Sequence, residues 1–162
     1  MTDPLTAAVP ARELVDALVG RGQTLATAES LTAGLLAATV AGVPGASAVL
    51  RGGFVVYATD LKGSLAGVDP AVLASDGPVA PTTAAQLADG ARERCRADWG
   101  IGLTGVAGPD PQDGHAPGTV FLGLSGPDGT EVTALQLTGE RWDIRFGCVR
   151  AAVSGLLDRL AR

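Results

Sequence analysis

An apolar stretch that runs straight into a helical pattern constrains the fold of this chain more than any other feature. Thr24 to Ala28 reads as a buried strand, Glu29 and Ser30 follow it, and Leu31 to Val40 is apolar with helical spacing. This order predicts a strand, a sharp turn and a helix over Thr32 to Ala41, with Ser30 at the start of the helix.

Ser30 has two interpretations at that position. Its hydroxyl can act as an N-cap, accepting a backbone N–H of the first helical turn, which is the commoner use of serine there. It can also act as a nucleophile, held on a rigid turn beside N–H groups that stabilise an anion. The stretch alone leaves both interpretations open.

Lys62 is the only lysine among the twelve basic residues, and it lies five positions after the only tyrosine, Tyr57. The ordinary interpretation is a solvated lysine on a helix surface. The functional interpretation rests on a difference in chemistry, because a desolvated lysine can lose its proton and act as a base, whereas arginine stays protonated. For Tyr57, which ends an apolar strand, a core position with the hydroxyl at the rim is the ordinary interpretation.

The rest of the chain alternates strands with helices. A long strand is predicted at Ala48 to Ala58 and another at Trp99 to Leu103, and Gly126 to Gly129 marks a hairpin between Thr119 to Ser125 and Glu131 to Thr138. The predicted helices are Ala11 to Gly20, a short one that Thr59 or Asp60 would cap and that contains Lys62, Pro70 to Ala74, Thr82 to Ala97, and Glu140 to Ala161. Trp142 is expected in the apolar stripe of the last helix.

This alternation predicts an α/β fold, a three-layer α/β/α domain whose sheet is mixed because it contains a hairpin. Residues 1–10 are expected to form a flexible tail, and residues 11–162 a single domain. Sites in such sheets form at loops beyond the strand ends. Two loops of small residues are therefore candidates, one over Glu29 to Ala33 and the other over Thr104 to Gly108.

Charge and composition exclude some classes of function. The net charge of −5 and the sequence pI near 4.7 argue against nucleic-acid binding. The chain lacks a signal-peptide pattern and any apolar run near the roughly 20 residues of a membrane span, so a cytoplasmic protein is expected. Cys95 and Cys148 have no metal-site spacing and are read as reduced thiols.

Several motifs in order resemble the CinA C-terminal domain family, over residue 11 to the C-terminus. The first is Thr27 to Gly34, and Tyr57 and Lys62 stand at the family's Tyr-and-Lys spacing. The remaining matches are Val43-Pro44-Gly45-Ala46-Ser47, Arg51-Gly52-Gly53, Thr104-Gly105-Val106-Ala107-Gly108-Pro109, Pro117-Gly118-Thr119-Val120, and Gly139-Glu140-Arg141 with Arg145.

The resemblance implies a homodimeric enzyme that hydrolyses the carboxamide of nicotinamide mononucleotide, giving nicotinic acid mononucleotide and ammonia, with no metal or cofactor. By match of motif, Ser30 would be the nucleophile and Lys62 the general base, with Tyr57 beside them. Positions assigned to the substrate pocket are Thr104, Gly105, Arg141 and Arg145, and the loop after the first strand adds Glu29, Thr32, Ala33 and Gly34. The family also occurs fused to a larger N-terminal domain, and its absence from this sequence favours the stand-alone enzyme.

The sequence also departs from the family pattern. Leu31 stands where many relatives have Cys, Ala33 where Gly is common, Thr59 where Asn is usual, and Ala80 where Ser is usual. The changes at Thr59 and Ala80 motivate an alternative hypothesis, a non-catalytic pyridine-nucleotide-binding module that has kept the fold.

Three further polar residues carry weaker signals. His115, the only histidine, lies in a Pro/Gly-rich loop and is expected to have no chemical role. Asp110 and Asp113, in the same loop, are interpreted as turn formers rather than cation ligands.

Overall fold

A computed structural model describes residues 3–162, in which five strands and six α-helices alternate along most of the chain. The strands are β1 (Leu25–Glu29), β2 (Leu50–Val55), β3 (Trp99–Gly105), β4 (Thr119–Gly126) and β5 (Gly129–Gln136). The helices are α1 (Ala11–Arg21), α2 (Leu35–Ala41), α3 (Thr59–Ser64), α4 (Pro70–Ser75), α5 (Pro81–Arg94) and α6 (Arg141–Leu160). A single 3-10 turn, Ala46–Ala48, precedes β2.

The strands form one mixed sheet in the order β2-β1-β3-β4-β5. β1 is parallel to both β2 and β3, whereas β4 pairs antiparallel with β3 and with β5. The chain therefore leaves β1 towards β2 on one side and returns to β3 on the other. The carboxyl ends of β1, β2 and β3 meet at one edge, and this reversal point is where ligands bind in sheets of this kind.

Helices cover both faces of the sheet, which confirms the predicted three-layer α/β/α architecture. The larger apolar cluster joins the sheet to α1, α2 and α6, with Leu14, Ile101 and Val149 fully buried in it. A smaller cluster on the opposite face joins Ala26 and Ala28 of β1 to α5 and to the α3–α4 segment.

Glycines in the two central strands let α5 pack directly on the sheet. A methyl group added to Gly102 would lie 2.5 Å from the carbonyl oxygen of Ala84 on α5, and one added to Gly123 would meet the same oxygen. Both distances are far below normal contact, so only glycine allows the backbones to approach this closely.

The start of the second helix differs from the prediction. The helix expected over Thr32 to Ala41 begins only at Leu35, because Ala33 (φ 49°) and Gly34 (φ 93°) have left-handed backbones that cannot continue a right-handed helix. Ser30 is consequently separated from α2 by a turn, and the helix's N-cap is Gly34. The N-cap interpretation of Ser30 was therefore wrong.

Two smaller expectations also need correction. α3 starts after Ala58, so neither Thr59 nor Asp60 supplies a side-chain cap. Trp142, predicted to lie in the apolar stripe of α6, is 53% exposed. It stacks on Phe146 at the surface, with ring centroids 5.6 Å apart.

The expected tail contains neither helix nor strand in its described part, residues 3–10. Leu5 and Val9 nevertheless pack against the larger cluster. Residues 1–2 lie outside the described residues. Within residues 3–162, no helix combines the length and the apolar character needed to cross a bilayer.

Candidate active site

A cavity of about 240 Å³ opens at the edge where β1, β2 and β3 end. Ser30, which directly follows β1, lies on its wall, as do Tyr57 and Lys62 from the segment after β2. The loop after β3 supplies another wall, and Arg141 at the start of α6 lines the rim. Three parallel strand ends and one helix start thus bring together residues that are far apart in sequence.

Ser30 is held by backbone pairing and touches Lys62. Its N–H donates to the Leu103 carbonyl at 2.9 Å, which continues the β1–β3 ladder by one residue. Its hydroxyl lies 3.0 Å from the Lys62 amine, and the Ser30 residue is only 8% exposed. A serine hydroxyl in contact with a buried amine is the arrangement that activates a nucleophile by a neighbouring base.

Lys62 is buried on α3, with 2% of its surface exposed. Its amine donates to the Val56 carbonyl at 3.1 Å and lies against Ser30, and no carboxylate within residues 3–162 forms an ion pair with it. Burial lowers the pKa of Lys62 below its usual 10.5, and the negative charge of Asp113 partly opposes this by raising it. The environment therefore makes it easier for this amine to lose its proton than for an exposed lysine.

Tyr57 and Arg141 form the exposed rim of the cavity. The Arg141 guanidinium donates to the Tyr57 hydroxyl at 2.8 Å and to the Gly108 carbonyl at 2.6 Å. Tyr57 is 55% exposed, so it differs from the core tyrosine of the ordinary interpretation. The two side chains place a positive charge and a hydroxyl at the exposed mouth of the cavity, whereas the Ser30–Lys62 contact is buried.

The structure brings five of the predicted site residues into the cavity wall: Ser30, Tyr57, Lys62, Gly105 and Arg141. It does not bring the other predicted residues there, namely Glu29, Thr32, Ala33, Gly34, Thr104 and Arg145.

Three of the residues outside the wall, Glu29, Thr104 and Arg145, use their polar side chains in hydrogen bonds within the protein. The buried Glu29 carboxylate accepts backbone N–H groups at the start of α2, and Arg145 donates to the carbonyls of Leu31 and Thr32. The Thr104 hydroxyl donates to the Pro78 carbonyl at 2.5 Å and so holds a wall residue of the cavity. The Thr32 hydroxyl is buried and has no hydrogen-bond partner within residues 3–162.

Several wall residues were not singled out as site residues, although Leu31 and residues 106–108 lie in the two candidate loops. These wall residues are Leu31, Thr59, Pro78, Val79, and every residue of the loop from Val106 to Gln112. Glycine and proline are frequent around Pro78 and after Thr104, which indicates irregular backbone but does not indicate a site. The position of these segments beside Ser30 depends on strand order, which local patterns do not contain.

Asp110, Asp113 and His115 form no hydrogen bond with Ser30 or Lys62 in the described part of the chain. Asp110 lines the cavity wall, and the exposed Asp113 acts on Lys62 through its charge. His115 does not line the cavity and packs edge-on against Phe121, with ring centroids 6.3 Å apart. Cys148 is buried as a free thiol whose pKa burial raises to about 12, and Cys95 is also free.

Comparison with known proteins identifies close relatives. The profile of a family described as the CinA C-terminal domain matches residues 8–160. A CinA-like protein of Frankia casuarinae is 51% identical over 144 residues, which cover 89% of this chain and 33% of the relative. The chain spans about a third of the length of the curated relatives it matches.

Solved structures share the fold. The competence/damage inducible protein CihA of Agrobacterium tumefaciens superposes with a TM-score of 0.87 at 34% identity, covering 94% of this chain and 93% of that one. A CinA superfamily protein of Escherichia coli superposes with a TM-score of 0.91 at 28% identity, covering 98% and 93% of the two chains.

Proposed function

The chain belongs to the CinA C-terminal domain family, and we propose that it is an amidohydrolase that converts nicotinamide mononucleotide to nicotinic acid mononucleotide and ammonia. The observation that carries the proposal is the 3.0 Å contact between the Ser30 hydroxyl and the buried Lys62 amine. The substrate is inferred from the resemblance of the motifs to this family. The names of the relatives state no amidase activity.

The proposed reaction begins with attack of Ser30 Oγ on the carboxamide carbon, while neutral Lys62 takes the hydroxyl proton. The resulting ammonium of Lys62 then gives that proton to the departing nitrogen, which leaves as ammonia and so forms an ester on Ser30. Lys62 next takes a proton from water, which attacks the ester and releases the carboxylic acid. Returning that proton to Ser30 Oγ restores the site. The Val56 carbonyl supports this role, because accepting one amine hydrogen helps to orient the Lys62 nitrogen towards Ser30.

The oxyanion of the tetrahedral intermediate needs N–H donors near Ser30. The donors first expected, those at the start of the helix, are already taken, since the N–H groups of Gly34, Leu36 and Ala37 donate to Glu29. Leu31 lines the cavity, and its N–H donates to no acceptor within residues 3–162. We therefore assign the oxyanion to the N–H of Leu31, the residue directly after the nucleophile, which is the position of one oxyanion donor in α/β-hydrolases.

A phosphorylated substrate suits the opposite end of the cavity. Arg141 is always charged and presents several N–H donors that match phosphate oxygens, and the Tyr57 hydroxyl lies beside it. In this proposal the carboxamide reaches the buried Ser30–Lys62 pair, and the phosphate remains at the rim. The proposal includes a cytoplasmic location and a homodimeric state. Sedimentation at micromolar concentration tests the homodimer.

The decisive experiment measures ammonia release from nicotinamide mononucleotide by the purified protein, in the presence of a chelator. We expect turnover that is lost in Ser30→Ala and in Lys62→Arg, since arginine cannot take a proton at accessible pH. Ser64→Ala, an exposed serine on the same helix as Lys62, is the matched control and should keep wild-type turnover.

Two outcomes contradict the proposal in different ways. Full activity in a folded Lys62→Arg protein removes the assigned base. Saturable binding of the mononucleotide without any turnover in the wild-type protein favours the non-catalytic binding module. Thr59 and Ala80, where the chain departs from the family pattern, are then the positions to revert to Asn and Ser.

A further inference from the structure

The turn that carries Ser30, residues 30–34, is held from two sides by charged side chains that lie outside the cavity wall. We propose that Glu29 and Arg145 are positioning residues, which together clamp this turn in the geometry that catalysis by Ser30 needs. The inference rests on the proposed function. It differs from the sequence-based expectation that both residues bind substrate.

Glu29 holds the helix side of the turn. Its side chain is 1% exposed, and both carboxylate oxygens accept hydrogen bonds from the backbone. The N–H groups of Gly34, Leu36 and Ala37 donate to it at 3.1, 3.0 and 2.9 Å. The positive end of the α2 dipole favours this negative charge. A carboxylate from the preceding strand thus fixes where α2 begins.

Glu29 is itself held in place from the strand. The Thr27 hydroxyl donates to Glu29 at 3.1 Å, and Gly53 on the neighbouring strand leaves room for that hydroxyl. A methyl group on Gly53 would meet the Thr27 hydroxyl oxygen at a distance shorter than any normal contact. The carboxylate oxygens therefore have four donors, and none of their hydrogen bonds points to a ligand.

Arg145 holds the other side of the turn from α6. Its Nε donates to the Leu31 carbonyl at 2.9 Å, and its Nη2 donates to the Thr32 carbonyl at 3.1 Å. The planar guanidinium fixes two successive carbonyls at once, which a single ammonium group cannot reproduce with the same geometry. Because a trans peptide directs its N–H opposite to its carbonyl, Arg145 also sets the direction of the Thr32 N–H.

The turn needs such external support because its own conformation is unfavourable. Ala33 has a left-handed backbone, which costs a non-glycine residue of order 1 kcal/mol and persists only where neighbouring groups enforce it. Within the turn, the only hydrogen bonds are from Ala33 N–H to the Ser30 carbonyl and from Leu35 N–H to the Thr32 carbonyl. The hydrogen bonds to Glu29 and Arg145 supply the remaining support for this conformation. They therefore fix the positions of Ser30 and of the free Leu31 N–H.

This role predicts a particular kinetic signature. Neither Glu29 nor Arg145 lines the cavity or touches Lys62, so removing them should leave substrate affinity and the pH midpoint of activity unchanged. A displacement of the nucleophile or of the Leu31 N–H instead lowers kcat, and a shift of about 1 Å can cost about a hundredfold.

The experiment compares Glu29→Gln and Arg145→Lys with the exposed controls Glu13→Gln and Arg150→Lys. We expect kcat per folded molecule to fall about tenfold to a hundredfold in both test variants, with KM within about twofold of wild type. Backbone hydrogen exchange should accelerate at Gly34, Leu36 and Ala37 in Glu29→Gln. The controls should match the wild-type protein in every measurement.

The outcomes separate this inference from the proposed function. Wild-type kcat per folded molecule in both test variants overturns the clamp while leaving the amidase intact. Should Glu29→Gln not fold, Arg145→Lys decides, because Arg145 is only half-buried. A wild-type protein without turnover contradicts the proposed function together with the catalytic part of the clamp. In that case, wild-type rates of backbone hydrogen exchange over residues 31–37 in Arg145→Lys would also overturn the structural part of the clamp.

Discussion

At the scale of single residues, Lys62 shows how the surroundings of a side chain shift its pKa. An exposed lysine is protonated at neutral pH and cannot accept the proton of a serine. Burial disfavours the charged form and lowers the pKa of Lys62, whereas the Asp113 carboxylate favours that form. The balance of these two effects sets the pH at which the proposed base becomes active.

Replacing Asp113 with Asn tests this balance. The negative charge of Asp113 raises the pKa of Lys62. Without this charge the pKa falls, so the amine becomes neutral at lower pH. The rising limb of kcat/KM against pH, which reports the free enzyme, should therefore move to lower pH. Asn tolerates the left-handed backbone of Asp113 (φ 51°), so the loop should keep its conformation.

The matched control is Asp128→Asn in the exposed β4–β5 turn, which should leave the profile in place. Because Asp113 is exposed, salt screens its field, and the difference between variant and wild type should shrink as ionic strength rises. A limb that moves to higher pH would contradict the assignment of Lys62 as the base.

At the scale of single elements, helix starts account for most of the differences between expectation and structure. α2 begins at Leu35 because a buried carboxylate and two left-handed residues determine its first turn. α5 begins after Ala80, whose extended backbone (φ −154°, ψ 156°) is typical of an N-cap, but whose side chain has no oxygen to cap the helix. Ala80 is also a position where the family usually has Ser.

We expect Ala80→Ser to stabilise the protein. A serine hydroxyl at this position can accept the N–H of Thr82 or Thr83, and such caps contribute about 0.5–2 kcal/mol relative to alanine. Urea unfolding should show a higher midpoint with an unchanged m-value. Ala116→Ser, in an exposed loop, serves as the control. An unchanged or lower midpoint in Ala80→Ser would show that the buried hydroxyl finds no partner.

At the scale of the whole molecule, the candidate site opposes stability. Lys62 is buried in the folded protein, and no carboxylate within residues 3–162 forms an ion pair with it. Folding therefore destabilises its protonated form relative to the unfolded chain. The unfolded chain binds the proton up to about pH 10.5, whereas the folded protein releases it at lower pH. Between these two pKa values the unfolded state holds more protons, and stability rises with pH.

Comparing wild type with Lys62→Met over pH 7 to 10.5 isolates this effect. We expect the free energy of unfolding of the wild-type protein to rise with pH relative to that of the variant. Every tenfold difference in proton affinity between the two states amounts to about 1.4 kcal/mol. Buried Cys148, whose pKa is raised, titrates in both proteins and cancels in the difference. Parallel curves would contradict a lowered pKa for Lys62.

Local patterns in the sequence were sufficient to predict the order of strands and helices and to mark two candidate residues, whose roles they left open. Strand and helix periodicity predicted the five strands and the three layers, and turn residues predicted the β4–β5 hairpin. A lone lysine and a serine at a strand end marked Lys62 and Ser30 as candidates, and the structure brings them together. These features depend on residues that are close neighbours along the chain.

Only the tertiary structure decided the strand order, the cavity walls, the start of α2 and the partners of Glu29 and Arg145. Arg145 contacts Leu31 across 114 positions of sequence, and Lys62 contacts Ser30 across 32. Such contacts are set by packing of the whole sheet and its helices, which residue periodicity does not encode. The sequence thus determined which side chains are available for chemistry. The fold decided which of them line the cavity and which support the backbone around it.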